Sequence, residues 1–330
     1  MTKILFATLN SNMSMGSYRI WINDLNYYFN QLEGDRFTSQ ISSGNANIKD
    51  YDIIICGKND AALAVGIKKK YPEKKVGVIN LAADKKLPID FVIVGSLEEK
   101  DSLSYYDNVF LYPLIEKMYQ NHELKVHEEK SKIRIGFHGH YPHLAKFEPH
   151  LKSAIESIDK KYDIELLIVT SNASFNWKHG RPNIKNIIMK EWNINSIKDN
   201  IMSCDIGIVP NITYIPYSKG IHPTSADLGL YDTDHIFRLK NKSNAGRAFV
   251  FHQLGIPVVG DFTPSNFHIM GDPKCGYLAH NSKTWERALE DLMSYEKRNF
   301  IAQEAKKEFD RLYNPLEWAE RLYEDIRRIK

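Results

Sequence analysis

The stretch RLKNKSNAGRAFVFHQLGIPVVG, residues 238–260, joins a group of cations to an apolar strand. Ser and Asn are favoured at helix N-caps, so the Ser-Asn pair predicts a helix over 243–254 that leads into a buried strand over 256–260. The first N–H groups of a helix lack intrahelical partners and lie at the positive end of its dipole. The stretch therefore predicts an anion site, unless it is an ordinary capped core helix with solvent-facing cations. The candidate contacts are Lys242, Ser243, Asn244 and Arg247.

Strand and helix signals alternate on both sides of this stretch. Short apolar runs predict strands at 3–8, 52–56, 75–79, 90–94, 108–112, 133–137, 164–169, 184–189, 206–209, 256–260 and 276–279. Amphipathic runs predict helices at 17–30, 59–70, 146–160, 194–203, 243–254 and 283–294. Apolar strands separated by helix-length segments are typical of parallel sheets with helices on both faces. The fold class is therefore α/β, with two Rossmann-like doubly wound domains.

A polar and charged segment divides the two alternating halves. Residues 116–132, EKMYQNHELKVHEEKSK, read as a linker between a first domain over 1–115 and a second over 133–312. The remaining residues, 313–330, begin with Asn314 and Pro315, a cap followed by a first-turn proline. An apolar stripe then predicts a terminal helix over 315–328.

Composition excludes several classes of protein. The 330 residues carry a net charge of +3, whereas nucleic-acid-binding proteins are usually strongly basic on one face. Three distant cysteines form no CxxC pair and give no zinc or redox signature. The loop after the first strand has Gly16 alone, so the dinucleotide fingerprint is missing. No signal peptide is recognisable at the start, which predicts a cytoplasmic protein. The basic stretches 68–75 and 326–330 are candidates for peripheral contact with a membrane surface.

Several segments resemble the donor domain of GT-B glycosyltransferases, above all the retaining family-4 type. In 242–260 a helix runs into a Gly-x-Pro-Val-Val strand, and 133–144, IRIGFHGHYPHL, resembles the first donor-domain strand. Residues 190–211 resemble the base-binding loop and the following helix and strand. The segments 275–293 and 313–326 resemble the closing helices, the last of which commonly crosses back to the N-terminal domain.

The resemblance implies an acceptor-side domain over 1–115 and a nucleotide-sugar donor domain over 133–312, with the helix in 313–330 packing back on the first. It implies transfer of a sugar from a nucleotide-diphosphate donor to a glycan, lipid or other acceptor. The nucleotide sugar is a co-substrate, and neither a further cofactor nor nucleic acid is expected. The sequence departs from the family-4 pattern at two positions of the donor segment. The family has a glutamate at each, and this sequence has Lys242 and Val250. A GT-B fold with a divergent donor segment describes the sequence better.

Site residues follow from the same resemblance. Gly139, Glu191 and Trp192 join the four candidates of the opening stretch as donor-binding residues. The catalytic candidates are Arg19, Asp84 and His140, and Asp84 would serve as the base of an inverting enzyme. A retaining enzyme needs no such base, because the leaving phosphate can accept the proton, and the sequence leaves both mechanisms open.

Metal sites and two other functions are the alternatives. Asp232 and Asp234 form a short DxD pair, a metal motif of the other glycosyltransferase fold. His138, His140 and His143 lie close together, as a zinc site would require, but a loop explains both groups, and a metal-independent enzyme is predicted. A nucleotide-sugar 2-epimerase shares the GT-B architecture, and a two-domain ligand-binding protein needs no catalysis.

Overall fold

The computed structural model describes residues 2–32, 37–43, 46–81, 86–211, 233–234, 239–240 and 243–329, with the backbone alone at 233–234 and 239–240. The chain forms two compact units. Unit 1 comprises Met1–Met118 and Tyr313–Lys330, and unit 2 comprises Tyr119–Leu312. The finer division at residues 115, 132 and 312 stays a prediction.

The described residues of unit 1 form a six-stranded parallel sheet in the order β2-β1-β3-β4-β5-β6. Its strands are β1 Thr2–Ala7, β2 Phe37–Ser42, β3 Ile53–Cys56, β4 Lys75–Ile79, β5 Phe91–Val94 and β6 Val109–Leu111. The strands β3 and β5 are buried at every position. Such continuous apolar runs are typical of parallel strands covered on both faces.

The described residues of unit 2 form a second six-stranded parallel sheet, in the order β14-β13-β10-β7-β8-β9. Its strands are β7 Lys132–Gly139, β8 Asp163–Thr170, β9 Ile187–Glu191, β10 Ile206–Val209, β13 Val258–Asp261 and β14 Tyr277–Ala279. A two-stranded antiparallel ladder pairs β11 Thr233–Asp234 with β12 Leu239–Lys240. The order of the large sheet reverses between β7 and β10, and ligands of doubly wound folds bind where this reversal occurs.

Helices connect the strands in both units. They are α1 Gly16–Tyr18, α2 Leu25–Phe29, α3 Ala61–Lys70, α4 Leu97–Ser102, α5 His150–Asp159, α6 Ile197–Met202, α7 Gly246–Gln253, α8 Pro264–Met270, α9 Ser282–Asp291, α10 Tyr295–Leu312 and α11 Pro315–Arg327. A π-helical segment, Arg19–Asp24, joins α1 to α2. The single helix predicted over 17–30 therefore consists of a π-helical segment between two α-helical ones. No helix in the described part of the chain combines the length and apolar character that a membrane crossing needs.

The terminal helix α11 belongs to the core of unit 1. The side chain of Asn314 accepts hydrogen bonds from the N–H groups of Leu316 and Glu317, and Pro315 occupies the first turn, as the sequence predicts. Its buried residues pack with the β1 and α2 side of the sheet. The rings of Tyr323 and Phe37 lie 4.2 Å apart. The α/β class, with two Rossmann-like units and a terminal helix that returns to the first, is thus confirmed.

Residues predicted to form a linker make ordered contacts within unit 2. Lys125 and Lys130 each place Nζ on Oδ1 of Asp205, at 3.1 and 2.9 Å. The other oxygen of Asp205 accepts the N–H of Arg134 at 2.9 Å. Arg298 donates to the carbonyl of Glu128 at 3.0 Å. These bonds tie the segment to the start of β7 and to α10.

Candidate functional site

The site is centred on the carboxyl ends of β7 and β10, where the order of the unit 2 sheet reverses. Strand β7 ends at Gly139, whose φ is +149°. A Cβ atom at that position would lie 3.4 Å from Cδ of Arg247 and 3.3 Å from the ring of Phe137. Glycine therefore allows a backbone conformation that other residues rarely adopt, and it leaves room for the arginine side chain.

Asn211, two residues beyond β10, joins the segments around this point. It is 2% exposed, and its backbone and side chain make four hydrogen bonds. Its N–H donates to Oδ2 of Asp261 at 2.6 Å, and its carbonyl accepts from Nζ of Lys146 at 3.1 Å. Its Oδ1 accepts from Arg247 at 2.6 Å, and its Nδ2 donates to the carbonyl of Asn244 at 3.2 Å. One residue thus links β10, β13, the loop after β7 and the start of α7.

Arg247 lies in the first turn of α7 and points toward the end of β10. Its Nη2 donates to the carbonyl of Pro210 at 3.0 Å as well as to Asn211. The guanidinium carbon lies 5.3 Å from the centre of the Phe137 ring, in the range of a cation–π contact. The other nitrogen, Nη1, is buried and has no hydrogen-bond partner among the described residues.

Burial lowers the pKa of Arg247 to about 10, and the charge of Asp261 opposes this lowering. The side chain therefore remains a cation at neutral pH. A cation held by one nitrogen, with a second donor buried and unpaired, is suited to an anionic ligand oxygen. The alternative prediction, a solvent-facing cation on an ordinary core helix, is wrong for Arg247.

The start of α7 differs from the predicted one. The helix begins at Gly246, and Ala245 occupies the N-cap position without a capping side chain. Asn244 instead closes a turn, with its Oδ1 accepting the N–H of Gly246 at 3.2 Å. Ser243 is buried, and its Oγ has no hydrogen-bond partner in the described part of the chain. The Ser-Asn pair therefore precedes the helix, and the Ser243 hydroxyl is a second unpaired donor in this region, beside Nη1 of Arg247.

The other predicted donor-binding residues lie along the same edge of the sheet, beyond β8. Glu191 ends β9 and is exposed, whereas Trp192 is half-buried. The N–H of Trp192 donates to the carbonyl of Thr170 at 2.7 Å. The Oγ1 of Thr170 is buried and unpaired among the described residues. The catalytic candidate His140 directly follows β7 and is exposed. Partial desolvation of its ring nevertheless lowers its pKa.

Three further predicted residues are Lys242, Asp84 and Arg19. Lys242 and Asp84 lie outside the described residues. Arg19, in unit 1, donates from Nε and Nη2 to Oε2 of Glu116 at 3.0 and 2.7 Å, and from Nη1 to the carbonyl of Met13 at 2.8 Å. The predicted contact between Arg19 and a substrate thus concerns a side chain that is already held in a buried ion pair.

A buried carboxylate lies beside this ion pair. Asp24 accepts the N–H of Lys117 at 3.1 Å and a hydrogen bond from the Asn23 amide. Burial raises the pKa of Asp24 to about 6. The cluster connects the π-helical segment to residues 116–117, close to the end of the Met1–Met118 segment of unit 1.

Sequence reasoning missed Asn211, Asp261 and Lys146. Asn211 and Asp261 each carry a signal that could have found them, because each is a polar residue at the end of a buried strand near the reversal point. The residues described here contain no group of three His, Cys, Asp or Glu side chains arranged for a metal ion. The side chains of Asp232 and Asp234 lie outside that part of the chain.

Comparison with known proteins gives matches in structure alone. No family model and no curated protein matches the sequence. A glycosyltransferase from Rickettsia africae superposes with a TM-score of 0.62 at 12% identity, over 99% of this chain and 98% of its own. Anabaena HepE, solved in complex with UDP, gives 0.60 at 10% identity, over 99% and 100% of the two chains. The chain has the GT-B fold.

A third similar structure is a DNA-modifying β-glucosyltransferase, studied with and without its substrate uridine diphosphoglucose. It superposes with a TM-score of 0.54 at 14% identity, over 99% of this chain and 100% of its own. At such identities the similarity concerns the fold. The resemblance to the retaining family-4 type and the divergence of the donor segment stay predictions.

Proposed function

We propose that the chain is a glycosyltransferase that moves a sugar from a nucleotide-diphosphate donor to a glycan or lipid-linked acceptor, without a metal ion. The observation that carries the proposal is the placement of Arg247, whose buried and unpaired Nη1 lies at the reversal point of the unit 2 sheet. Ligands of doubly wound folds bind at this point. The fold shared with glycosyltransferases whose structures contain UDP supports the same reading.

The donor diphosphate would lie against the start of α7. Arg247 offers Nη1 and Ser243 offers an unpaired hydroxyl. Lys146 donates from Nζ to the carbonyl of Asn211 at the same edge of the sheet. The eight-residue helix adds the partial positive charge of its first turn. Two of these groups thus lie at the start of α7 and one lies in the segment after β7, and Lys242 is a further candidate from the sequence.

Sugar transfer breaks the bond between the anomeric carbon and the diphosphate oxygen, and the diphosphate leaves with the electron pair. Preorganised cations and N–H groups stabilise this growing negative charge in a site from which water is excluded. The acceptor hydroxyl forms the new glycosidic bond and loses its proton. In an inverting enzyme the proton passes to a base, for which Asp84 is the candidate. In a retaining enzyme it passes to an oxygen of the departing diphosphate.

Binding and transfer measurements on Arg247→Gln test the proposal. We expect the variant to lose about 2.7–4 kcal/mol of transition-state stabilisation, by analogy with removal of one oxyanion-hole donor. This corresponds to a rate loss on the order of a hundredfold or more. Because the side chain is half-buried and makes two hydrogen bonds, thermal melting must accompany the assay.

Arg134→Gln is the matched control. Arg134 lies at the opposite end of the strand that ends at Gly139, and its Nε donates to Glu165 at 2.5 Å. We expect Arg134→Gln to bind the nucleotide donor with the affinity of the unchanged protein. The proposal fails if Arg247→Gln binds a nucleoside diphosphate as the unchanged protein does. Donor turnover without any acceptor would instead indicate a nucleotide-sugar 2-epimerase.

A further inference from the structure

We propose that Asp261 is a positioning residue, which acts through Asn211 to hold Arg247 so that its unpaired nitrogen faces the donor diphosphate. The inference rests on the proposed function, because it assigns the ligand of Arg247 to the donor. It assigns a role to a carboxylate that does not touch the donor itself. Three observations carry it: the fixed position of Asp261, the full pairing of Asn211 and the one-sided anchoring of Arg247.

The carboxylate of Asp261 is held in one orientation. The residue is 4% exposed and ends β13, where it pairs with Ala279 of β14. Its Oδ2 accepts the N–H of Asn211 at 2.6 Å, and its Oδ1 accepts Nε1 of the buried Trp285 at 3.1 Å. Its backbone carbonyl accepts from Asn266 at 2.8 Å. Both oxygens therefore accept a defined hydrogen bond. The bond from the N–H of Asn211 fixes the position of the loop after β10.

Asn211 transmits this position to the arginine. Its backbone is fixed by Asp261 on the N–H side and by Lys146 on the carbonyl side. Its amide group then holds Arg247 through Oδ1 and the carbonyl of Asn244 through Nδ2. A shift of the Asn211 backbone therefore moves the atom that receives the guanidinium. It also moves the turn that precedes α7.

Arg247 depends on this support because both described hydrogen bonds of its guanidinium use Nη2. Their acceptors are the carbonyl of Pro210 and Oδ1 of Asn211, which are consecutive residues of one loop. Displacement of that loop redirects Nη1 while the cation is retained. The negative charge of Asp261 also helps to keep Arg247 protonated against the effect of burial.

Asp261→Asn is a directed perturbation of this chain of contacts. The two oxygens of Asp261 each receive an N–H donor, so an amide nitrogen at either position would face a donor and break one bond. The matched control is Asp205→Asn. Asp205 is also buried, immediately precedes the neighbouring strand β10 and accepts a backbone N–H, that of Arg134 at 2.9 Å, but at the opposite edge of the sheet.

The experiment compares affinities for nucleosides and their diphosphates by calorimetry. The pairs are uridine with UDP, guanosine with GDP and adenosine with ADP, measured on the full chain. The ratio of the two affinities within a pair isolates the contribution of the diphosphate. We expect Asp261→Asn to reduce this ratio about tenfold to a hundredfold, the range of a charge-assisted hydrogen bond. Nucleoside affinity itself stays unchanged, and Asp205→Asn keeps the ratio even where it lowers the melting temperature.

A double variant shows whether the effect passes through Arg247. In the Arg247→Gln background, Asp261→Asn has little left to remove, so the two losses are far from additive. If Asp261→Asn does not fold, Asn211→Leu breaks the link while it leaves the backbone bond to Asp261 in place. We expect it to give the same selective loss.

The outcomes separate the inference from the function on which it rests. The inference is overturned if Asp261→Asn, or Asn211→Leu in its place, keeps the ratio of the unchanged protein. It is also overturned if nucleoside and diphosphate affinities fall together, or if the losses of the double variant add. An unchanged protein that binds no diphosphate better than its nucleoside contradicts the proposed function itself, and the inference with it.

Discussion

His252, on the face of α7 that is buried in unit 2, should make that unit sensitive to acid. The side chain is fully buried, and neither ring nitrogen has a hydrogen-bond partner among the described residues. Burial lowers the pKa of His252 from 6.5 to about 3. The folded state therefore keeps the ring neutral over a pH range in which the unfolded chain takes up a proton.

The sign and size of the effect follow from this difference. Below pH 6.5 the unfolded state binds more protons than the folded state, so the free energy of unfolding falls with pH until the folded pKa is reached. Each unit of pH below 6.5 is equivalent to about 1.4 kcal/mol. Between pH 7 and pH 5, His252 alone should remove about 2 kcal/mol of stability from unit 2.

His252→Leu is the perturbation that measures this contribution. It removes the titrating ring and two buried unpaired polar atoms, each of which costs about 1–3 kcal/mol when left without a partner. We expect the variant to be more stable at pH 7. We also expect its loss of stability between pH 7 and pH 5 to be smaller by about 2 kcal/mol.

Hydrogen exchange of the slowest amides in β10 and β13 measures the unfolding free energy of unit 2 separately from unit 1. His268→Leu, an exposed histidine on α8, is the matched control and should leave the difference between pH 7 and pH 5 unchanged. The reasoning is refuted if His252→Leu shows the full acid loss of the unchanged protein, or if it is less stable at both pH values.

Three further predictions concern unit 1 and the donor site. The raised pKa of Asp24 gives stability that is present below pH 3.8 and lost as pH rises through 6. The unfolding free energy of unit 1 should therefore fall by roughly 3 kcal/mol between pH 3 and pH 7, and Asp24→Asn should abolish this fall. Hydrogen exchange of the β1 amides measures it, and the same dependence on pH in the variant and the unchanged protein would contradict the prediction. Gly139→Ala forces a strained backbone at a cost of about 1–3 kcal/mol and should weaken UDP binding in calorimetry. Transfer should survive EDTA because protein cations supply the positive charge, and a complete loss that manganese restores would show a metal requirement.

The parallel sheets were predictable because their strands are short, continuous apolar runs. The strands β4 and β10 match the predicted ranges at both ends. The edge strand β2 was missed because its sequence, FTSQIS, is largely polar, as an edge allows. The long helix α10 was missed because its buried side has only two large apolar residues, Ile301 and Phe309, and otherwise consists of Arg298, Ala302 and Ala305. A helical period alone does not distinguish the π-helical segment from its α-helical neighbours.

The site residues that belong to local sequence patterns were predictable. The contacts that depend on the pairing of strands distant in sequence were not. Gly139, Asn244 and Arg247 belong to recognisable strand ends and helix starts. The contact between Asn211 and Asp261 depends on the pairing of β10 with β13, which places Val209 beside Gly260. No local pattern encodes that register, because it is set by the packing of the whole sheet.

The discontinuous composition of unit 1 has a consequence for how the protein is made. A core helix of that unit, α11, is encoded after all of Tyr119–Leu312. At translation rates of about 5–20 residues per second, the first 118 residues wait roughly ten to forty seconds on the ribosome for this helix. During that time the apolar side chains that later meet Leu322, Tyr323 and Ile326 are open to chaperones and to neighbouring nascent chains. Unit 2 is continuous in sequence and can finish folding first.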